Sequence, residues 1–305
     1  MNAAPVHSEI LTRSVIALPP LARTPDRQLS TEQNRRLVRS LEAGGIRILL
    51  YGTNALVQHL RPSEYAPLLG MLAEIAGPET TVIPAIGPSH GLMMEQLEVL
   101  RGTPFPTVQI LPPADPEAVT ATGFERAVGE ITDSLGRPVV LSVNDSCVLT
   151  PPILRRLVAA GQVSFILYQV SREDPANDPL LRELVDTVDP RSVVSGLGEQ
   201  VTIPHVREFG VGTFASGCAC VAARLSQCLL EAMQRGEWGE AEEIRGIFRP
   251  LEELRRKQSP VSVLHEALTF AGIAEMGPMP AMLTPVNERY LSRVREAAQS
   301  LLAGE

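Results

Sequence analysis

Short apolar runs alternate with amphipathic stretches along most of the chain, at a spacing steady enough to read as a repeated strand–helix unit. The apolar runs lie at residues 14–18, 46–50, 81–86, 107–111, 139–143, 192–195 and 211–215, with a further one inside 161–174, a buried strand running into a polar turn. Between them fall helical patterns with recognisable ends. Ser30-Thr31-Glu32-Gln33 has the form of a capping box, with Leu37, Val38 and Leu41 on one face and Gly44-Gly45 as the stop. Arg61-Pro62-Ser63-Glu64 opens the next helix, which carries Leu68, Leu69, Leu72 and Ile75. Further helices are expected over 91–100, 116–135, 151–160, from Asp178, and up to Phe209.

Eight such units predict an α/β fold, a (β/α)8 TIM barrel over residues 10–235. An open dinucleotide-binding sheet lacks support, because no Gly-x-Gly-x-x-Gly follows the first strand. Beyond the eighth unit the strands stop. Helical spacing over 239–256, broken near Pro250, then over 261–271 and 286–302, predicts a C-terminal three-helix extension spanning 236–305.

Composition narrows the function. A net charge of -8 argues against nucleic acid and anionic membranes, which call for basic surfaces. No stretch approaches the apolar length of a membrane span, the first ten residues lack the pattern of a signal peptide, and a cytoplasmic location is expected. Cys147, Cys218, Cys220 and Cys228 have no disulfide-framework spacing. Cys218-x-Cys220 lacks a second ligand pair, so neither metal nor cofactor is expected, and both thiols read as small hydrophobes. Of 27 basic residues only one, Lys257, is a lysine, within Leu254-Arg255-Arg256-Lys257-Gln258.

In such a barrel, chemistry sits where strands meet the loops at their C-terminal ends. That rule nominates Gly52, Thr53 and Asn54 after strand two, Ser142 on strand five, Leu167 on strand six and Gly196 after strand seven as substrate-binding positions. Tyr168, Asp145 and His90 are the candidate proton-transfer groups. Each also has a plainer reading, as a packed ring, a turn residue and a helix-start residue respectively.

Several segments carry a resemblance to a known family: Gly52-Thr53-Asn54, Ser195-Gly196, Gly210-Val211-Gly212 leading to Ser216, and the Ser259-Pro260 helix ending Ala271-Gly272-Ile273. Over roughly residues 10–300 the chain resembles the dihydrodipicolinate synthase / N-acetylneuraminate lyase barrels. The resemblance implies a strand-six lysine forming a Schiff base with a 2-keto acid, a Gly-Thr-Thr-Gly-Glu turn holding its carboxylate, two tyrosines relaying protons, and a homo-oligomer, dimer or tetramer. This chain departs at each catalytic position. The lysine falls on Leu167, or on Tyr168 in a register shifted by one; a tyrosine falls on Ser142; the other falls near Pro113-Ala114. Lys257, flanked by arginines on a helix, has the character of a surface charge. The expectation is a barrel without the Schiff-base lysine that is non-catalytic or binds a small carboxylic or keto acid. The alternative is a lyase working without an imine, and a third, weaker reading is an imine formed on Lys257.

Overall fold

The structure is a computed structural model describing residues 1–305. Eight parallel strands close into a barrel in chain order, β1 (Ile16–Ala17), β2 (Ile48–Tyr51), β3 (Thr81–Ile86), β4 (Gln109–Ile110), β5 (Val139–Asn144), β6 (Val163–Gln169), β7 (Val193–Ser195) and β8 (Thr213–Ser216). Ile16 pairs with both Ile48 and Ala215, which closes the ring. The strands are buried on both faces, which is why their sequences are near-continuous apolar runs rather than alternating ones.

Alternation within each strand still divides the side chains. Ile16, Ile48, Leu50, Ile83, Val140, Phe165, Leu167, Val194 and Ala215 pack together inside the barrel. Val6 and the short helix α1 (Ser8–Leu11) close its floor, with Ser164 Oγ donating to the Val6 carbonyl at 2.7 Å. The opposite set, including Ile166, Tyr168, Val193 and Phe214, faces the helices.

Those helices are α2 (Thr31–Ala43), α3 (Pro62–Ile75), α4 (His90–Leu100), α5 (Ala121–Leu135), α6 (Pro151–Ala159), α7 (Pro179–Val185), α8 (Glu199–Phe209) and α9 (Ala223–Arg235). The extension adds α10 (Trp238–Lys257), α11 (Pro260–Phe270) and α12 (Glu288–Ala303), whose apolar faces join the same core as the barrel helices. No helix is long and apolar enough to cross a membrane.

Three expectations are corrected. The helix expected over 116–135 starts at Ala121: residues 116–118 form a separate 3-10 turn, Val119 and Thr120 are extended, and Thr120 Oγ1 caps Gly123 N at 3.1 Å. Pro250 does not break α10. It lies on the exposed face, where water can serve the carbonyl that its missing N–H leaves free. Only half of the Ser30 capping box forms. Ser30 Oγ accepts from Gln33 N at 3.4 Å, but Gln33 Oε1 accepts instead from Glu275 N at 2.8 Å, tying α2 to the C-terminal segment.

Candidate functional site

The C-terminal mouth of the barrel is lined by neutral side chains. Leu50 and Leu167 form its apolar base, both almost fully buried. Above them Gln109 Nε2 donates to Ser142 Oγ at 2.9 Å, and Gln169 Nε2 reaches the Gly196 carbonyl at 3.4 Å. Two glycines make the room. An ideal Cβ on Gly52 would fall 2.2 Å from Gln109 Oε1, and one on Gly196 would fall 2.5 Å from Gln169 Cγ and 3.0 Å from Leu167 Cδ1.

Gln109 Oε1 is buried and has no hydrogen-bond partner. A carboxamide can turn end for end, and the Ser142 hydroxyl can accept from it or donate to it. The free end of Gln109 can therefore present a carbonyl or an NH2 to a ligand. Sequence reasoning passed over this residue as part of an apolar strand; the available signal was one long amide inside the run 107–111.

Leu167 pairs with Ser142 and Val194 and points inward, whereas Tyr168 points outward. The Tyr168 hydroxyl donates to Asp178 Oδ2 at 2.7 Å, and its ring meets the His205 ring edge-on at 5.9 Å. Asp178 also caps α7 through Leu180 N and Leu181 N and lies 3.2 Å from Arg172 Nε. Burial, then the Asp178 hydrogen bond, push the Tyr168 phenol well above its ordinary range, so it stays protonated. Beside it Ser195 Oγ and His205 Nδ1 lie 2.8 Å apart, and burial pulls the imidazole down to about 4. The pair resembles a nucleophile and its base, but both side chains are sealed between strand and helix.

Asp145 is exposed on the loop after β5, 3.9 Å from Arg172, and His90 is exposed at the start of α4, 3.4 Å from Glu130. The three proton-transfer candidates do not converge: one faces the helix layer and two lie on the surface. The substrate-binding nominees do cluster. Gly52, Ser142, Leu167 and Gly196 line the mouth, and Asn54 Nδ2 donates to the Leu18 carbonyl at 2.9 Å, holding the exposed Thr53 at its rim.

The sequence reading also missed the cation beside that rim. Arg255 stands two residues before the surface Lys257, yet its side chain is only 11% exposed. An ideal Cβ on Gly217 would fall 2.7 Å from Arg255 Nη2 and 3.0 Å from Asn54 Nδ2. Arg255 Nη1 donates to Glu252 Oε1 at 2.9 Å and lies 3.7 Å from Cys218 Sγ, and Nε donates to the Pro260 carbonyl at 3.3 Å. Nη2 makes no bond within the chain. Glu199, buried nearby, accepts from Ser216 at 2.8 Å and Ser226 at 3.0 Å. Burial, then the Glu252 charge, push its carboxyl up to about 8.

Glu199, Cys218 and Glu252 bring their ligand atoms within 4.8 Å of one another, a spacing that could suit a metal ion. The guanidinium of Arg255 already supplies positive charge there, and burial holds the Cys218 thiol well above its usual range. Lys257 is half-exposed at the end of α10, 3.8 Å from Glu253.

Comparison with solved structures shows the same fold. Dihydrodipicolinate synthase from Oceanobacillus iheyensis superposes with a TM-score of 0.83 at 19% identity, covering 96% of this chain and 98% of that one. The Bacillus clausii enzyme gives 0.82 at 18%, covering 97% and 98%. YagE, an E. coli prophage protein of the dihydrodipicolinic acid synthase family solved with pyruvate, gives 0.80 at 19%, covering 94% and 98%. No protein-family profile and no curated protein matches the chain.

Proposed function

We propose that this chain is a barrel of the dihydrodipicolinate synthase / N-acetylneuraminate lyase type that makes no Schiff base and serves as a non-catalytic or small-acid-binding member. The observation that carries the reading is the inward-facing Leu167, set in a mouth whose other walls are amides, a hydroxyl and glycines. Imine formation needs a primary amine held where its pKa can fall. The chain's one lysine is half-exposed on α10 and paired with Glu253.

A small carboxylate has suitable partners at the rim. Arg255 Nη2 is uncommitted beside Asn54, and the free end of Gln109 faces Gly52. Thr53 and the turn following β2 add a hydroxyl and backbone N–H groups of the kind that hold anions. The alternative of a non-imine lyase loses weight, because Tyr168, Asp145 and His90 do not meet at the mouth.

Self-association as a dimer or tetramer belongs to the same proposal and rests on resemblance. One structural neighbour is described as a monomeric dihydrodipicolinate synthase variant. Large exposed hydrophobics here are limited to Ile247 and Met282, so an interface would rely on polar and partly buried surface. Light scattering decides it, a mass near 33.0 kDa counting against assembly. Binding is tested by thermal shift with pyruvate, acetate and succinate on the parent chain and on Arg255→Gln. Saturable stabilisation lost in the variant supports the reading. Turnover of a keto acid by the parent chain would contradict it.

A further inference from the structure

Residues 275–285 cross back over the loop between β1 and α2. Arg23 N donates to the Met276 carbonyl at 2.9 Å. Gly277 has φ of 72°, and a Cβ on it would fall 1.9 Å from the Arg23 carbonyl oxygen, so only glycine permits the approach. Between this segment and α11 lies a cavity of about 600 Å3, which shares no residue with the barrel mouth.

His265 lines that cavity, is only 4% exposed, and has both ring nitrogens buried without a hydrogen-bond partner. Such groups in folded proteins are nearly always paired, and leaving one unpaired costs about 1–3 kcal/mol. Burial, then the charge of Arg23, pull the imidazole down to about 4, so it is neutral and offers one donor and one acceptor. Arg27 is on the same wall. It holds a left-handed backbone, φ 67°, which costs a non-glycine residue about 1–2 kcal/mol. The turn that imposes this conformation is closed by Arg27 N to Thr24 O at 2.8 Å and Thr24 N to Gln28 O at 2.9 Å. Its exposed guanidinium makes no ion pair or hydrogen bond within the chain. Glu266 and Glu275 supply acceptors on the remaining sides.

We propose that this cavity binds a small hydroxylated carboxylate. Arg27 takes the carboxylate, the His265 ring turns to bring a nitrogen, buried and unpaired within the chain, against a ligand hydroxyl, and Glu266 accepts from another hydroxyl. Glu266 and Glu275 disfavour a dianion such as phosphate, whose second charge would have no cation to offset it, whereas a monocarboxylate is matched by Arg27 alone. The site extends beyond the reading of the barrel mouth and does not depend on it.

The test is calorimetric titration of the full chain with D-gluconate, D-glycerate and, as a hydroxyl-free control, acetate. The expected result is saturable binding of gluconate or glycerate at least tenfold tighter than acetate, weakened at least tenfold in Arg27→Gln and in His265→Leu. The same variants should leave any binding at the mouth unchanged, and Arg255→Gln should leave this site unchanged. Arg27 is a surface side chain, so its variant carries the test even where His265→Leu folds poorly. Three results would overturn the proposal: no binding of either hydroxy acid at millimolar concentration, binding indifferent to Arg27→Gln, or a folded His265→Leu that binds as tightly as the parent chain.

Discussion

Arg255 donates to Glu252 one turn earlier on α10, Nη1 to Oε1 at 2.9 Å, and the two side chains are drawn below the surface, 11% and 10% exposed. The pair lies where the extension meets the end of β8, with Glu199 of α8 and Cys218 against it. A buried ion pair adds little over apolar packing, but removing one partner strands the other charge.

Arg255→Met should therefore destabilise the chain by about 3–5 kcal/mol in urea unfolding. Lys257→Met removes an exposed partner of Glu253 two residues along and should cost less than about 1 kcal/mol. Equal small effects would mean that the Arg255 cluster is hydrated and contributes nothing specific.

Glu199 gives the stability a pH dependence. Its folded-state pKa is about 8, above the ordinary 4.5, so between those values the folded chain holds a proton that the unfolded chain has released. The stabilisation is complete below about pH 4.5 and is lost as pH rises through about 8, at on the order of 1 kcal/mol per pH unit at most. Urea midpoints measured between about pH 5 and pH 8 should fall for the parent chain and flatten in Glu199→Gln, which keeps the shape of the protonated acid. A parallel fall in both would assign the slope to other groups.

Tyr168→Phe should cost about 1.5–3 kcal/mol, the worth of a hydrogen bond to a charged group, and no more, because Asp178 keeps Arg172 and the α7 cap. Acid binding at the mouth should be unchanged in thermal-shift titration, since the phenol faces the helices. A loss of binding with stability intact would bring Tyr168 back into the site.

The barrel was legible because strands buried on both faces repeat as apolar runs and glycines mark the helix ends; residues 139–143 and Gly136 are clear cases. Pro250 misled because its effect depends on which face it occupies, which a local pattern does not carry. At the site, turn glycines were readable from strand-end positions, whereas inward and outward are decided by a one-residue register. That is why Tyr168 and Leu167 could be told apart only in the fold. Gln109, Arg255 and His265 were missed for a shared reason: each matters through a partner, or the lack of one, far away in sequence.

The central claim, that the mouth holds no imine-forming amine, is tested most directly by intact mass after pyruvate and borohydride. The parent chain should show no adduct. Leu167→Lys, which places an amine inside the barrel where desolvation lowers its pKa, should trap pyruvate, while Tyr168→Lys, directed at the helices, should not. A pyruvate adduct on the unmodified chain, mapped to Lys257, would contradict the account.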